Sequence, residues 1–262
     1  MSTLLTAAVA TLVFCAPGSP GGDGDSNIFM DQFAKAAVAS AGWSSGSLAA
    51  IYDSTEQGGI TKLATSSAVM AFVPYPFYVE HASKLHLKPL AQAEVMDVGT
   101  QERWTLVGKA GGATGSQSMA GYTILSVAGY APDFVRRTAL GGWPVPAEVK
   151  IEATSQILKA LRRAAAGEPV LVLLDQTQAK AVPTLPFAGQ LKTLAQSPPL
   201  PVALVAVVDD RLSEARAKAF QNGLLKLGSI PADADTLVFL HLKGFVLPQL
   251  PLARSPHQGD SS

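Results

Sequence analysis

Residues 68–90 read AVMAFVPYPFYVEHASKLHLKPL, and the class of fold turns on how this stretch divides. It opens with Ala68 to Val73, a run that is apolar, uncharged and too short for a helix. Such a run fits a strand buried on both faces, as in a parallel sheet. Pro74 and Pro76 stop it, because proline cannot donate to a ladder and restricts the residue before it. Phe77, Val79, Ala82, Leu85 and Leu87 then recur at roughly helical spacing, with Glu80, His81, Ser83 and Lys84 between them. The stretch reads as buried strand, tight turn, helix. In open α/β sheets ligands lie outside the carboxyl ends of the strands, against helix N-termini. Tyr75, Phe77 and Tyr78 occupy such a place and are candidate ligand contacts. The plainer alternative is that these rings fill core beneath the turn.

The same alternation of strand and helix extends toward the N-terminus. Residues 8–15 read as the first strand, ending in the glycine- and proline-rich Ala16 to Gly22, where glycine permits close backbone approach to a ligand. Gly18 and Ser19 are therefore candidates. Residues 4–14 are apolar, but no Lys or Arg precedes them and the run is barely long enough for an export signal. Phe14 before Cys15 is also unlike a lipoprotein cleavage box. A helix is expected over residues 28–41, capped by Ser26 or Asn27. A second strand, residues 47–53, leads into Ser54, Thr55, Glu56 and a short helix to about residue 64. Residues 88–95 read as a fourth strand. Tyr52 and Ser54 join the candidates at the end of strand two.

Residues 101–109 are an extended crossover, followed by a glycine-rich break at residues 111–116. A second alternating set begins there. Strands are expected at 122–127, 149–153 and 169–174, and helices at 133–140, 155–166 and 178–182. Thr154 is the expected cap of the middle helix and Gly167 its terminator. Ser126, Gly129 and Tyr130 lie in the turn after one strand, and Asp175 and Gln176 after another. A further extended segment spans 192–195, residues 197–201 look like a boundary, and 202–208 form another apolar strand. A long amphipathic helix is expected over 212–227. Periodicity does not decide residues 235–242, and residues 251–262 read as a frayed tail. The expected division is residues 1–105 for lobe one, 106–200 for lobe two, and 201–262 for a return to lobe one and a tail. Two crossovers, near 101–109 and 197–208, would make a hinged clamp.

Composition narrows the function classes. Hydrophobic residues make up 48% and charged residues 15%, which is the balance of a folded chain and not a disordered one. Lys+Arg 20 equals Asp+Glu 20, so nothing draws the protein to nucleic acid. Cys15 is the single cysteine, which excludes an internal disulfide. Gly42 to Gly46 matches G-x-S-x-G, but a helix is expected before it and a strand after it, the reverse of a nucleophile elbow. Asp23 to Asn27 imitates a calcium loop, yet Ile28 stands where glycine is needed and Ala34 where the bidentate glutamate is needed. The glycines of 108–115 lack the G-K-[ST] ending of a phosphate loop. His81 and His86 are five apart and no H-E-x-x-H exists, so no metal is expected. No catalytic constellation and no cofactor site can be assembled from spacing.

Four segments together resemble the periplasmic phosphate/phosphonate-type substrate-binding proteins of ABC transporters, with the type II periplasmic-binding-protein fold. They are residues 68–95, then RWTLVGKAGG (103–112), SVAGYAPDFVRRTAL (126–140) and VKIEATSQILKALRRAAAGEPVLVLLDQTQ (149–178). The resemblance covers most of residues 8–250. It implies a two-lobed α/β protein, each lobe a mainly parallel sheet flanked by helices, with two hinge crossovers. It also implies a monomeric, periplasmic, non-catalytic clamp that closes on a small polar or anionic solute for uptake through an ABC permease. Phosphonate-binding members hold the anion with serine and threonine hydroxyls at helix starts. Here the lobe-two turn has Ser126 and Tyr130 in place of a hydroxyl cluster, and lobe one offers an aromatic set, which leaves room for a larger or partly apolar ligand. The rival reading is an enzyme on the same fold with Asp53, Glu56 and Asp175 as candidate acids or bases. A ligand-sensing module is a third.

Overall fold

The computed structural model describes residues 9–18, 23–229 and 234–251. The first part of the chain runs β1 (Ala10–Cys15), α1 (Asp23–Ser40), β2 (Leu48–Asp53), α2 (Glu56–Leu63), β3 (Ala68–Pro74), α3 (Tyr75–His81), β4 (Leu87–Val95) and β5 (Gln101–Glu102). The middle part runs β6 (Thr105–Lys109), β7 (Thr123–Ser126), a π-helical segment (Phe134–Ala139), β8 (Lys150–Ala153), α4 (Ile157–Ala166), β9 (Val170–Leu174), α5 (Gln176–Ala181) and β10 (Leu191–Gln196). The last part runs β11 (Leu200–Pro201), β12 (Ala203–Val208), α6 (Glu214–Leu227), α7 (Ala234–Phe239) and β13 (Leu242–Val246).

These strands make two main sheets. One has the order β13-β4-β12-β3-β1-β2 and the other β10-β6-β9-β7-β8. In the first, β1, β2 and β3 pair in parallel, while β12 enters antiparallel between β3 and β4, and β13 runs antiparallel on β4. In the second, β7, β8 and β9 are parallel and β6 opposes both β9 and β10. Each sheet is thus mainly one-directional, with reversed strands where the chain crosses between sheets or returns.

The apolar runs are strands because both of their faces are covered. Along β1, Leu12 and Phe14 join one core and Val13 and Cys15 another. Along β12, Val205 and Val207 face the first core while Ala206 and Val208 face the second. Along β9, Leu171 and Leu173 alternate in the same way with Val170, Val172 and Leu174. The period-2 geometry of a strand sends neighbours to opposite sides, so a doubly covered strand is apolar at every position. Under α1 the rings of Phe14, Phe33, Phe72 and Phe245 lie 5.1–6.1 Å apart, centre to centre.

Several element boundaries differ from the sequence expectation. Helix α1 starts at Asp23, so Ser26 and Asn27 lie within it and do not cap it. Helix α3 begins at Tyr75 and ends at His81, so Leu85 and Leu87 are outside it. Pro76 does not prevent this, because an early helical position has no use for the missing N–H. Thr154 accepts the Gln156 N–H at 3.1 Å, but α4 begins only at Ile157. Gly167 does terminate α4, in the left-handed region at φ 94°. Residues 235–242 hold both the end of α7 and the start of β13, reversed at His241 with φ 57°.

Close packing of α2 on β1 yields a test. A Cβ at Gly59 would lie 2.0 Å from Cys15 Sγ and 2.7 Å from Cys15 Cβ. Gly59→Ala is therefore expected to lower stability by about 1–3 kcal/mol. A thermal melt should show this as a fall of roughly 2–12 °C; an unchanged melting temperature would mean that α2 is free to shift.

Candidate functional site

The two sheets are joined by strands that also pair with each other. β5 and β11 form a short antiparallel ladder, Glu102 opposite Leu200 and Gln101 opposite Pro201. Just beyond it, the Trp104 N–H donates to Ser197 Oγ at 2.9 Å and the Ser197 N–H donates to the Trp104 carbonyl at 2.8 Å. Arg103 Nη1 donates to the Ser197 carbonyl at 2.8 Å. Buried Gln92 fastens this junction, donating to the Thr100 carbonyl at 2.6 Å and accepting the Gln249 N–H at 2.9 Å.

A cavity of about 360 Å3 opens beside this junction, between the carboxyl ends of strands from both sheets. The six-stranded sheet contributes Ala16, Pro17 and Gly18 after β1, Pro74 and Pro76 around the end of β3, and Val95 and Val98 around the end of β4. The five-stranded sheet contributes Val127, Ala128 and Tyr130 after β7 and Asp175, Thr177 and Gln178 after β9. Glu102, Trp104 and Val202 come from the crossovers themselves.

Its charged lining, among the described residues, is Glu102 and Asp175. Glu102 is buried, and burial first, then the nearby negative Asp175, push its pKa up to about 7. The Gln176 N–H at 3.4 Å and the Trp104 indole partly offset this. Yet the indole N–H is buried and has no hydrogen bond of ordinary geometry. Asp175 caps α5, accepting the Gln178 N–H at 2.7 Å, while Gln178 Oε1 accepts the Asp175 N–H at 3.3 Å. Burial raises its pKa, against the backbone amides of Gln178 and Thr177.

The sequence-derived candidates fall into three groups. Gly18, Tyr130 and Asp175 line the cavity. Gly18 has φ 81° and its Cβ position would lie 3.5 Å from the Val127 carbonyl, so the β1 loop touches the β7 loop of the other sheet. Tyr75, Tyr78, Ser126, Gly129 and Gln176 lie within two residues of lining residues but do not line the cavity themselves. Tyr75 and Tyr78 stack at 6.2 Å and Tyr75 meets Phe134 edge-on, so these rings pack α3 onto the second sheet's core. Burial raises the pKa of both, to about 12 for Tyr75. Ser126 is fully buried and its Oγ accepts the Ala128 N–H at 3.1 Å. A Cβ at Gly129 would overlap the Glu152 carbonyl, so the glycine serves close packing on β8. Gln176 enters through its backbone N–H. Phe77 and Tyr52 are core residues, Phe77 at 0% exposure beneath β3 and Tyr52 on the far face with Phe14. Ser54 lies in the bend after β2. Ser19 lies outside the described residues.

The other two candidate acids sit apart from this cavity's lining. Asp53 is paired with Lys62 Nζ at 2.5 Å and accepts both the Thr55 N–H and hydroxyl; these bonds hold its pKa low against the opposing effect of burial. Glu56 meets buried His81 Nε2 at 2.8 Å. Cys15 lies near both, and burial followed by the Asp53 charge raises its thiol to about 12. No group of three or more His, Cys, Asp or Glu side chains is arranged for a metal ion among the described residues. Glu102 and Trp104 were not singled out in the sequence, although an acid and a tryptophan two residues apart in a crossover strand were a usable signal.

No family model and no curated protein matches the chain. Solved structures do. A Xanthomonas citri protein bound to chloride ion matches with a TM-score of 0.67 at 13% identity over 93% of this chain and 93% of that one. The binding-protein component of an ABC phosphonate transporter from Pseudomonas aeruginosa matches with 0.57 at 15% identity, over 91% of this chain and 82% of that one. A Prochlorococcus marinus protein in complex with methylphosphonate matches with 0.57 at 11% identity, over 93% and 94%. The fold is therefore the two-lobed α/β fold of type II periplasmic-binding proteins. None of the described helices is long and apolar enough to cross a membrane.

Proposed function

We propose that this protein is a non-catalytic solute-binding protein whose lobes, residues 1–105 with 201–262 and residues 106–200, close on one small ligand. The observation that carries the reading is the cavity at the meeting of strand ends from both sheets, directly beside the paired β5 and β11. Short crossover strands at the cleft floor are where a few backbone rotations swing one lobe against the other. Contacts on the cleft's sides suit a closing motion. Glu80 Oε2 accepts the Asp133 N–H at 2.9 Å and Lys180 Nζ reaches the Asp97 carbonyl at 3.2 Å, each bridging the two sheets' territories. The ligand-contact set in this proposal is Gly18, Ser19, Ser54, Tyr75, Tyr78, Ser126, Gly129, Tyr130, Asp175 and Gln176, extended by Glu102 and Trp104, with Tyr52 and Phe77 left to the core. The protein acts as a monomer in the periplasm and delivers its solute to an ABC permease.

The test is a thermal-shift screen against small anions, phosphonates, amines, amino acids and aromatic carboxylates. A ligand at 100 times its Kd stabilises by about 2.7 kcal/mol, or some 5–11 °C here. A shift with the ligand recovered unchanged supports the reading; conversion of the ligand sinks it. One observation favours the rival: Glu102, half-titrated near neutrality beside Asp175, is poised as an enzyme's general base would be. Product formation lost in Glu102→Gln would establish that alternative.

A further inference from the structure

Helix starts bind anions through free backbone amides. Here the amides at two such starts, and in the turn after β7, are engaged within the protein. At α3, the Tyr75 N–H donates to the Val202 carbonyl at 2.9 Å, Pro76 has no N–H, and the Phe77 N–H is turned toward the Tyr130 hydroxyl. In the turn after β7, the Ala128 N–H goes to Ser126 Oγ and the Gly129 N–H to the Ser126 carbonyl, both at 3.1 Å. At α5, the Gln178 and Thr177 amides serve Asp175, and the Gln176 amide faces Glu102. An entering phosphate would meet no open set of donors at these places. It would meet two carboxylates instead, since no lysine, arginine or histidine lines the cavity among the described residues.

The rest of the wall is apolar: Pro74, Pro76, Val95, Val98, Val127 and Val202 surround the acid pair. A buried, uncompensated carboxylate calls for a cationic partner. Trp104 lines the same cavity beside the acid pair, and its indole N–H, a donor, can serve Glu102 but not a cation. An amine or guanidinium nitrogen seated on Glu102 and Asp175 would supply the missing counter-charge, and a short methylene chain would cover the valines and prolines. A carboxylate on the same ligand would have no cation to meet.

We infer that the cleft takes a small organic cation, an amine or guanidinium on a short apolar chain, seated between Glu102 and Asp175, and excludes phosphate and phosphonate. This rests on the solute-binding reading and names its ligand class. Glu102 ionises near neutrality and faces Asp175; its neighbour Arg103 is engaged by the Ser197 carbonyl. Cation binding requires the ionised form, so affinity should rise about tenfold from pH 6 to pH 8.

Titration calorimetry of the ligand-free protein with agmatine, butylammonium, arginine, inorganic phosphate and methylphosphonate tests this. Agmatine or butylammonium should bind, more tightly at pH 8, and more tightly than arginine. Glu102→Gln should weaken that binding at least tenfold while melting no lower than the parent, which separates lost binding from lost folding. Binding of phosphate or methylphosphonate alone would overturn the cation assignment and leave solute binding standing. Cation binding indifferent to Glu102→Gln would overturn the assignment to this cleft. Silence from all five compounds would overturn the assignment and count against the clamp as well.

Discussion

Replacing Glu102 by glutamine is expected to make the empty protein more stable above pH 7, by roughly 3 kcal/mol. The carboxyl ionises at its ordinary value of 4.5 in the unfolded chain but only near 7 in the folded one. The unfolded state therefore gives up this proton first as pH rises. Below pH 4.5 Glu102 contributes no penalty. Between 4.5 and 7 the penalty grows, and above 7 it is complete. Glutamine cannot ionise, yet it keeps an oxygen for the Gln176 N–H. Burial of Asp175 adds a slope of the same sign, which the variant retains. Urea or thermal denaturation at pH 5 and pH 8 reads the difference. The two proteins should be nearly equal at pH 5 and separate by roughly 6–12 °C at pH 8. Equal pH dependence in both would show that water or a counter-ion already solvates Glu102. The result matters for function because a site that keeps a destabilising charge when empty is relieved when a ligand neutralises it.

How much of this was legible in the sequence depends on the range of the interactions. Residues 68–73, 169–174 and 202–208 announced themselves as strands because their uniform apolarity has one physical cause, cover on both faces. That same uniformity hides direction. β12 is as apolar as β3 yet runs antiparallel to it, and nothing local distinguishes the two cases. The expected helix after Pro76 was real but shifted, since Tyr75 and Pro76 occupy its first turn instead of a preceding loop. The crossovers near 101–109 and 197–208 were readable as extended segments. Their pairing was not, because Glu102 meets Leu200 across nearly a hundred residues of intervening chain. The same distance hid the acid pair. Glu102 and Asp175 are brought together by tertiary structure alone, so neither spacing nor periodicity could pair them. The amide bookkeeping around the cleft was equally invisible, since it depends on partners such as Tyr75 and Val202 that tertiary folding supplies.

Phe77→Ala is expected to cost about 3–5 kcal/mol of stability, lowering the melting temperature by roughly 6–20 °C. Phe77 follows Pro76, which lines the cleft, yet its own ring points the other way. It is fully buried among Val13, Cys15, Leu63 and Val73, and its centre lies 4.7 Å from that of His81. Removing the ring leaves a cavity between α3 and the first sheet that neither a proline-started helix nor a central strand can readily collapse into. A ligand contact would behave differently, since its truncation weakens binding at a nearly unchanged melting temperature. Phe77→Leu, which retains most of the volume, should recover much of the lost stability. Melting curves of the two variants, run beside a binding titration, separate the roles. A stable Phe77→Ala with weakened binding would move the ring from the core to the ligand. A destabilised Phe77→Ala that still binds below its melting temperature would show that the aromatic run on α3 is divided. Its tyrosines then pack the helix against the second lobe, its proline lines the cleft, and its phenylalanine anchors the helix to the first.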